Sequence, residues 1–160
     1  MRQLVGAVDK NGTYYTFDRT SLSSGPLWTA TIAVGGACPQ CGNGSISSSA
    51  WDGATLFVAG GNTTIQGKTC KGSFRALDPA TGAFKYEQCL KNGPVIGALT
   101  AVPGVAALVA GPDLLLIGTV TGQMLFKSTG SGITFYGSPS ISNGVLYVGS
   151  KNNALYAYGI

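Results

Sequence analysis

A motif of about 40 residues recurs along this chain, and a period of that length restricts a sequence to repeat architectures. The first half of the motif is a polar turn followed by an apolar strand ending in small residues. It reads SSSAWDGATLFVAGG at 47–61, ALTAVPGVAALVAG at 98–111 and SPSISNGVLYVGS at 138–150. Asp52-Gly53, Pro103-Gly104 and Asn143-Gly144 hold matching places and are hairpin-turn dipeptides. The second half is a strand, a Thr-Gly turn and another strand: FRALDPATGAFKYEQ at 74–88 and LLLIGTVTGQMLFKS at 114–128. Thr81-Gly82 and Thr121-Gly122 lie 40 residues apart, and Phe84/Met124 and Tyr86/Phe126 keep that interval.

Four short strands per period predict an all-β chain, a β-propeller of four-stranded antiparallel blades. One such blade cannot cover both its faces, so neighbouring blades must supply the core. The spacing predicts about four blades in a single domain over 1–160, at approximately 1–34, 45–92, 95–130 and 133–160. Numbered from the inside outward, residues 3–10, 13–19 and 27–33 read as second, third and fourth strands. Residues 45–51, 55–60, 72–77 and 83–89 read as a full blade, as do 97–102, 105–110, 114–118 and 123–128. Residues 135–142, 145–149 and 153–158 read as first, second and third strands. The first and last blades are therefore expected to be incomplete. Three outcomes follow: half of a larger propeller, a ring of about eight blades made by two copies, or a small strained ring closed by one chain. Unpaired strand edges favour assembly.

Only 10% of the 160 residues are charged, and 44% are hydrophobic. That composition is far from a disordered chain. The net charge of +4 comes from scattered Lys and Arg, with no basic run and no nucleic-acid motif. The longest apolar stretch is broken at Gly111-Pro112-Asp113, so no membrane span is expected. The N-terminal stretch meets Asp9 and Lys10 too soon to read as a signal peptide.

The four cysteines point to an oxidising compartment, secreted or periplasmic. Folding the chain back at Asp78-Pro79-Ala80-Thr81-Gly82 brings Cys70 opposite Cys89, which predicts a cross-strand disulfide. Cys38-Pro39-Gln40-Cys41 suits a local disulfide better than zinc, because the chain has no histidine to complete a ligand set.

The lack of histidine also removes Ser-His-Asp and Cys-His hydrolysis. No G-x-S-x-G, S-x-x-K or phosphate loop is present. Of the six acids, Asp18, Asp52 and Asp78 fall in turns, and nothing in the spacing brings Asp9, Glu87 and Asp113 together. The segment from Gly35 to Ser49, which joins the first two blades, and a second insertion at 60–67 are the least repetitive parts. Loops of this kind carry recognition in many folds. Asn11, Asn43 and Asn62 stand in N-x-S/T sequons.

Ala76, Asp78, Thr81 and Gly82, with Tyr86 four residues on, match A-x-D-x-x-T-G-x-x-x-W except that Tyr replaces Trp. This is the tryptophan-docking motif of propellers in the pyrroloquinoline quinone (PQQ) dehydrogenase family, which the chain resembles. The next repeat keeps Thr121, Gly122 and Phe126 but has Gly118 where Asp is usual, and the first keeps Asp18 and Trp28 around an insertion. ISNGVLYVGSKNNALYAYG resembles the closing repeat of the superfamily, so the chain looks like a C-terminal half. The overall look is closest to secreted bacterial propellers of the polyvinyl-alcohol-dehydrogenase kind. The motif has a packing role: the Asp caps a tight turn, the Gly takes positive φ, and the aromatic wedges between blades.

The resemblance also implies a central quinone over calcium, with carboxylate and amide ligands, a catalytic Asp and often an adjacent Cys-Cys pair. This chain has no such pair, and no cofactor is expected for it alone. The expected function is a non-catalytic binding or scaffold propeller contacting a protein or polymer, forming a homo-oligomer or completed by further blades. The alternatives are part of a PQQ- and calcium-dependent alcohol or polyvinyl alcohol dehydrogenase, and a hydrolase with a site between subunits.

Overall fold

The computed structural model describes residues 3–159, which are all-β apart from single 3-10 turns at Leu22–Ser24 and Pro39–Cys41. Four antiparallel sheets follow one another. The first holds β1 (Leu4–Val8), β2 (Thr13–Asp18) and β3 (Trp28–Thr31). The second holds β4 (Ala50–Trp51), β5 (Leu56–Gly60), β8 (Gly72–Leu77) and β9 (Phe84–Leu90). Inserted in it is a separate hairpin of β6 (Thr63–Ile65) and β7 (Lys68–Cys70). The third holds β10 (Thr100–Val102), β11 (Val105–Ala110), β12 (Asp113–Gly118) and β13 (Met124–Thr129), and the fourth holds β14 (Ser140–Ser142), β15 (Val145–Gly149) and β16 (Leu155–Gly159).

Each sheet buries its faces against the next. Tyr14, Ala30 and Ile32 of the first sheet side meet Val58 and Leu77 of the second. Phe57, Phe74 and Ala76 meet Leu108, Leu115 and Ile117 of the third. Leu114 and Leu116 then meet Leu146 and Val148 of the fourth. No strand of the fourth sheet bonds a strand of the first, so the described residues form an open arc.

The inner strands are shorter than the sequence pattern predicts, and the reason is a competition for backbone partners. The residues before β4, β10 and β14 bond across to neighbouring blades rather than to their own sheet. Ser47 Oγ donates to Gly97 O and Leu99 N donates to Ser48 O. One blade further on, Ala98 N donates to Ser138 Oγ, and Thr100 Oγ1 donates to Pro139 O. These bonds lace the inner rims of the second, third and fourth blades together.

The insertion at 60–67, read from sequence as a loop, contributes a strand to the β6–β7 hairpin. Its turn is Gln66-Gly67, with φ of 50° and 76°. Positive φ at both central residues is the turn that matches strand twist.

The segment from Gly35 to Ser49 is woven into both flanking blades. Gly36 N donates to Lys10 O, Gly44 N to Val34 O, and Asn62 N to Gly42 O. Gly44 has φ of 67°, and a Cβ there would run into the Lys10 carbonyl, so only glycine lets the chains approach this closely. Cys38 and Cys41 are disulfide-bonded within this segment, with Cα atoms 5.2 Å apart.

Cys70 and Cys89 are also bonded, with Cα atoms 5.3 Å apart. They do not face each other in one ladder. Ser73 stands opposite Cys89, and Cys70 pairs with Thr63 in the inserted hairpin. The bridge therefore ties that hairpin to β9.

Candidate functional site

The docking-motif residues build the contacts between blades. Asp78 Oδ1 accepts the backbone N–H groups of Ala80 (2.8 Å) and Thr81 (3.1 Å), and Gly82 follows with φ of 75°. In the third blade, where Gly118 replaces Asp, the turn is held by Gly122 N donating to Gly118 O at 2.8 Å. Asp18 accepts from the N–H and the hydroxyl of Thr20. Trp28 and Tyr86, the aromatic residues of the first two outer strands, each lie on the Thr-Gly turn of the following blade. A Cβ on Gly82 would stand 2.7 Å from Cδ2 of Trp28, and one on Gly122 would stand 2.6 Å from Cδ2 of Tyr86. Trp28 Nε1 donates to Pro79 O at 3.1 Å, and the Tyr86 hydroxyl donates to Thr119 O at 3.0 Å. Ala76 is buried in the core beneath this layer. Thr121 Oγ1 accepts from Gln123 N. Phe126, the third aromatic of the series, is 39% exposed and meets only the Tyr158 ring at 5.8 Å among aromatic partners.

All six carboxylates are engaged. Asp9 accepts from Asn11 N, and Asp52 accepts from Ala54 N and Thr55 N, as Asp18 and Asp78 do in their own turns. Glu87 pairs with Arg75 at 2.6 Å. Arg75 is only 3% exposed. It also donates to the Ile32 carbonyl, to Ser73 Oγ and to Thr63 Oγ1, and its guanidinium lies 5.4 Å from the Phe84 ring centroid. Nothing in the repeat pattern marks this Arg as an inter-blade tie. Asp113 is buried and accepts from Asn92, Thr129 and Lys127. Burial acts to raise its carboxyl pKa. The bonds from Lys127, Thr129 and Asn92, with the Lys127 charge, outweigh that and leave it below its ordinary value.

A quinone held over calcium needs convergent carboxylate and amide donors around the centre. The residues present do not fit such a group, because each acid is spent on a turn, an ion pair or the Asp113 network. Among the described residues no three His, Cys, Asp or Glu side chains converge.

The concave feature that does stand out is a cleft of about 790 Å³ between the first and second blades. Tyr14, Thr16, Trp28, Ser49, Trp51 and Leu56 contribute to its walls, and no charged side chain among the described residues lines it. Both tryptophans of the chain are among these residues. The Tyr14 and Trp28 rings stack with centroids 5.9 Å apart. The Tyr14 hydroxyl bonds Ser49 Oγ at 2.9 Å, and burial is the leading influence raising its pKa. Trp51 is 61% exposed. Thr16 is 2% exposed, and its Oγ1 has no hydrogen-bond partner among the described residues.

The register of the blades explains the cleft. Thr16, Ala76 and Leu116 hold one repeat position, two residues before Asp18, Asp78 and Gly118. Their cross-strand partners are Gly6, Phe57 and Ala107. The first blade thus carries glycine where the second carries a phenylalanine ring, and a hydroxyl where the second carries a methyl. The Tyr14 ring leans over Gly6, and part of the lost volume stays open.

Sheets of up to four antiparallel strands, stacked face to face in an arc, define a β-propeller. The described residues form a partial one, with no closure between first and last sheets. Neither a family model nor a curated protein matches the chain. Among solved structures, 276 chains match. BamB from Moraxella catarrhalis, a β-propeller with PQQ-like repeats, matches with a TM-score of 0.70 at 14% identity, over 98% of this chain and 42% of that one. The computationally designed Ika4 protein matches at 0.73 and 12%, over 100% and 87%. A chain of the Mitotic Checkpoint Complex matches at 0.74 and 14%, over 100% and 47%. The chain therefore spans less than half of BamB and of the checkpoint chain. At these identities the likeness establishes the fold.

No helix among the described residues is long and apolar enough to cross a membrane.

Proposed function

We propose that the protein is a non-catalytic binding or scaffold β-propeller of the PQQ-dehydrogenase-like repeat family, acting in a secreted or periplasmic setting as part of a larger assembly. The observation that carries this reading is the commitment of every carboxylate to a structural partner. It leaves the side chains of this arc no free carboxylate pair for acid–base catalysis. Two disulfides support an oxidising compartment. The free edges of β1 and β16 support completion by a second copy or by further blades. A small apolar cleft lined by Leu116, Leu125, Phe126, Leu146 and Tyr158 at the last blade supports the same conclusion.

Sedimentation equilibrium tests the assembly: twice the chain mass is expected, and a monomer at all concentrations overturns pairing of copies. Dye-linked oxidation of a primary alcohol or polyvinyl alcohol by protein reconstituted with PQQ and calcium tests the non-catalytic part, and turnover overturns it.

A further inference from the structure

The hollow between the first two blades differs in kind from the other blade contacts. The equivalent layers between later blades are filled with Phe57, Phe74, Leu108 and Leu115, or with Leu114, Leu116 and Leu146. Among the described residues, only between the first and second blades do a glycine and a buried, unpartnered hydroxyl stand at this layer. A buried hydroxyl without a partner is costly and calls for an explanation. Here it lies beside a Tyr–Ser hydroxyl pair and below an indole face open to solvent.

We infer that this cleft is a binding site for a neutral sugar ring. The inference rests on the binding reading above and names the ligand class. Three features select that class. No charged side chain among the described residues lines the walls, so an ionic ligand finds no counter-charge among them. A purely apolar ligand leaves the Thr16 hydroxyl unpaired. A pyranose offers both an apolar C–H face for Trp51 and hydroxyls for Thr16 and Ser49. The volume of about 790 Å³ is in the range of small-molecule sites. The Tyr14 ring stands over Gly6, opposite Thr16, and closes off Oγ1, so binding includes a turn of that ring that breaks its bond to Ser49 and frees Ser49 Oγ for the ligand.

The test is direct, because both tryptophans of the chain line the cleft. The full chain, in its native assembly state, is titrated with methyl glucoside, methyl galactoside, methyl mannoside and N-acetylglucosamine. Tryptophan emission and calorimetry are the readouts. At least one sugar is expected to give a saturable emission change and a measurable Kd. Thr16→Val is expected to weaken that sugar by about tenfold, and Thr16→Ser to restore it to within about threefold. Trp51→Ala, at an exposed position, is expected to abolish binding with the fold intact by circular dichroism. Absence of binding by all four sugars at about 10 mM, a weak limit for a specific site, overturns the inference, as does equal affinity in Thr16→Val. A dimer that binds none of the four refutes this site while leaving the assembly reading standing. A monomer that binds one does the reverse.

Discussion

Three aromatic residues hold one repeat position, Trp28, Tyr86 and Phe126, and truncating each to alanine makes a controlled series. The expected cost follows from what lies beneath each ring, since the sequence position is the same. Tyr86 covers Gly122 and donates from its hydroxyl to Thr119 O at 3.0 Å. Replacing a buried aromatic by alanine costs about 3–5 kcal/mol. Tyr86 is half-buried, so about 3 kcal/mol is expected for Tyr86→Ala, of which Tyr86→Phe should retain all but about 1 kcal/mol. Trp28 covers Gly82 and donates to Pro79 O, and about 3 kcal/mol is expected there too. Phe126 is 39% exposed, and Phe126→Ala should cost about 1 kcal/mol. The reverse substitution gives a cycle. Gly122→Ala meets both a positive φ of 71° and the Tyr86 ring, and in a Tyr86→Ala background only the backbone cost of about 1 kcal/mol should persist. Urea unfolding at one fixed protein concentration supplies every value, because any assembly makes stability concentration-dependent. If Phe126→Ala costs as much as Tyr86→Ala, the reasoning from ring to turn is wrong.

Arg75→Met removes a buried cation from five partners and leaves Glu87 partly exposed without its pair; a loss of about 3 kcal/mol is expected in urea unfolding, partly recovered in Arg75→Met/Glu87→Gln. The Tyr86 hydroxyl is pushed up to about 12, first by burial and then by the Asp52 charge. The unfolded chain releases that proton near pH 10, so the folded state holds more protons between about pH 10 and 12. Stability from this group is complete below pH 10 and is lost as pH rises to 12, and the wild-type minus Tyr86→Phe difference in urea midpoint should shrink across that window. Replacing Cys70 and Cys89 by serine opens a loop with a sequence separation of 19, which should cost about 3 kcal/mol, whereas the Cys38/Cys41 pair, separated by 3, should cost less.

The order of strand and turn within each blade was legible because it is local. An apolar strand, a Gly-containing turn and a returning strand need only neighbouring residues, so Asp52-Gly53, Pro103-Gly104 and Asn143-Gly144 mark their hairpins unaided. The Gln66-Gly67 hairpin carried the same signal and was hidden by its polar strands. Where the inner strands begin was not legible, because Ser47, Ala98 and Ser138 bond between blades, where sequence distance says nothing.

The sequence by itself determined a propeller repeat of about 40 residues, since that period dictates how often the chain must turn. Tertiary structure alone decided the rest. Arg75 is a scattered basic residue until the Ile32 carbonyl of the preceding blade segment is placed beside it. Gly6 and Thr16 are an ordinary glycine and an ordinary threonine until register shows that they hold the paired positions that Phe57 and Ala76 fill in the next repeat. The physical reason is the same for both: a strand's pattern fixes which face a residue takes, and only stacking of one blade on the next fixes what that face meets.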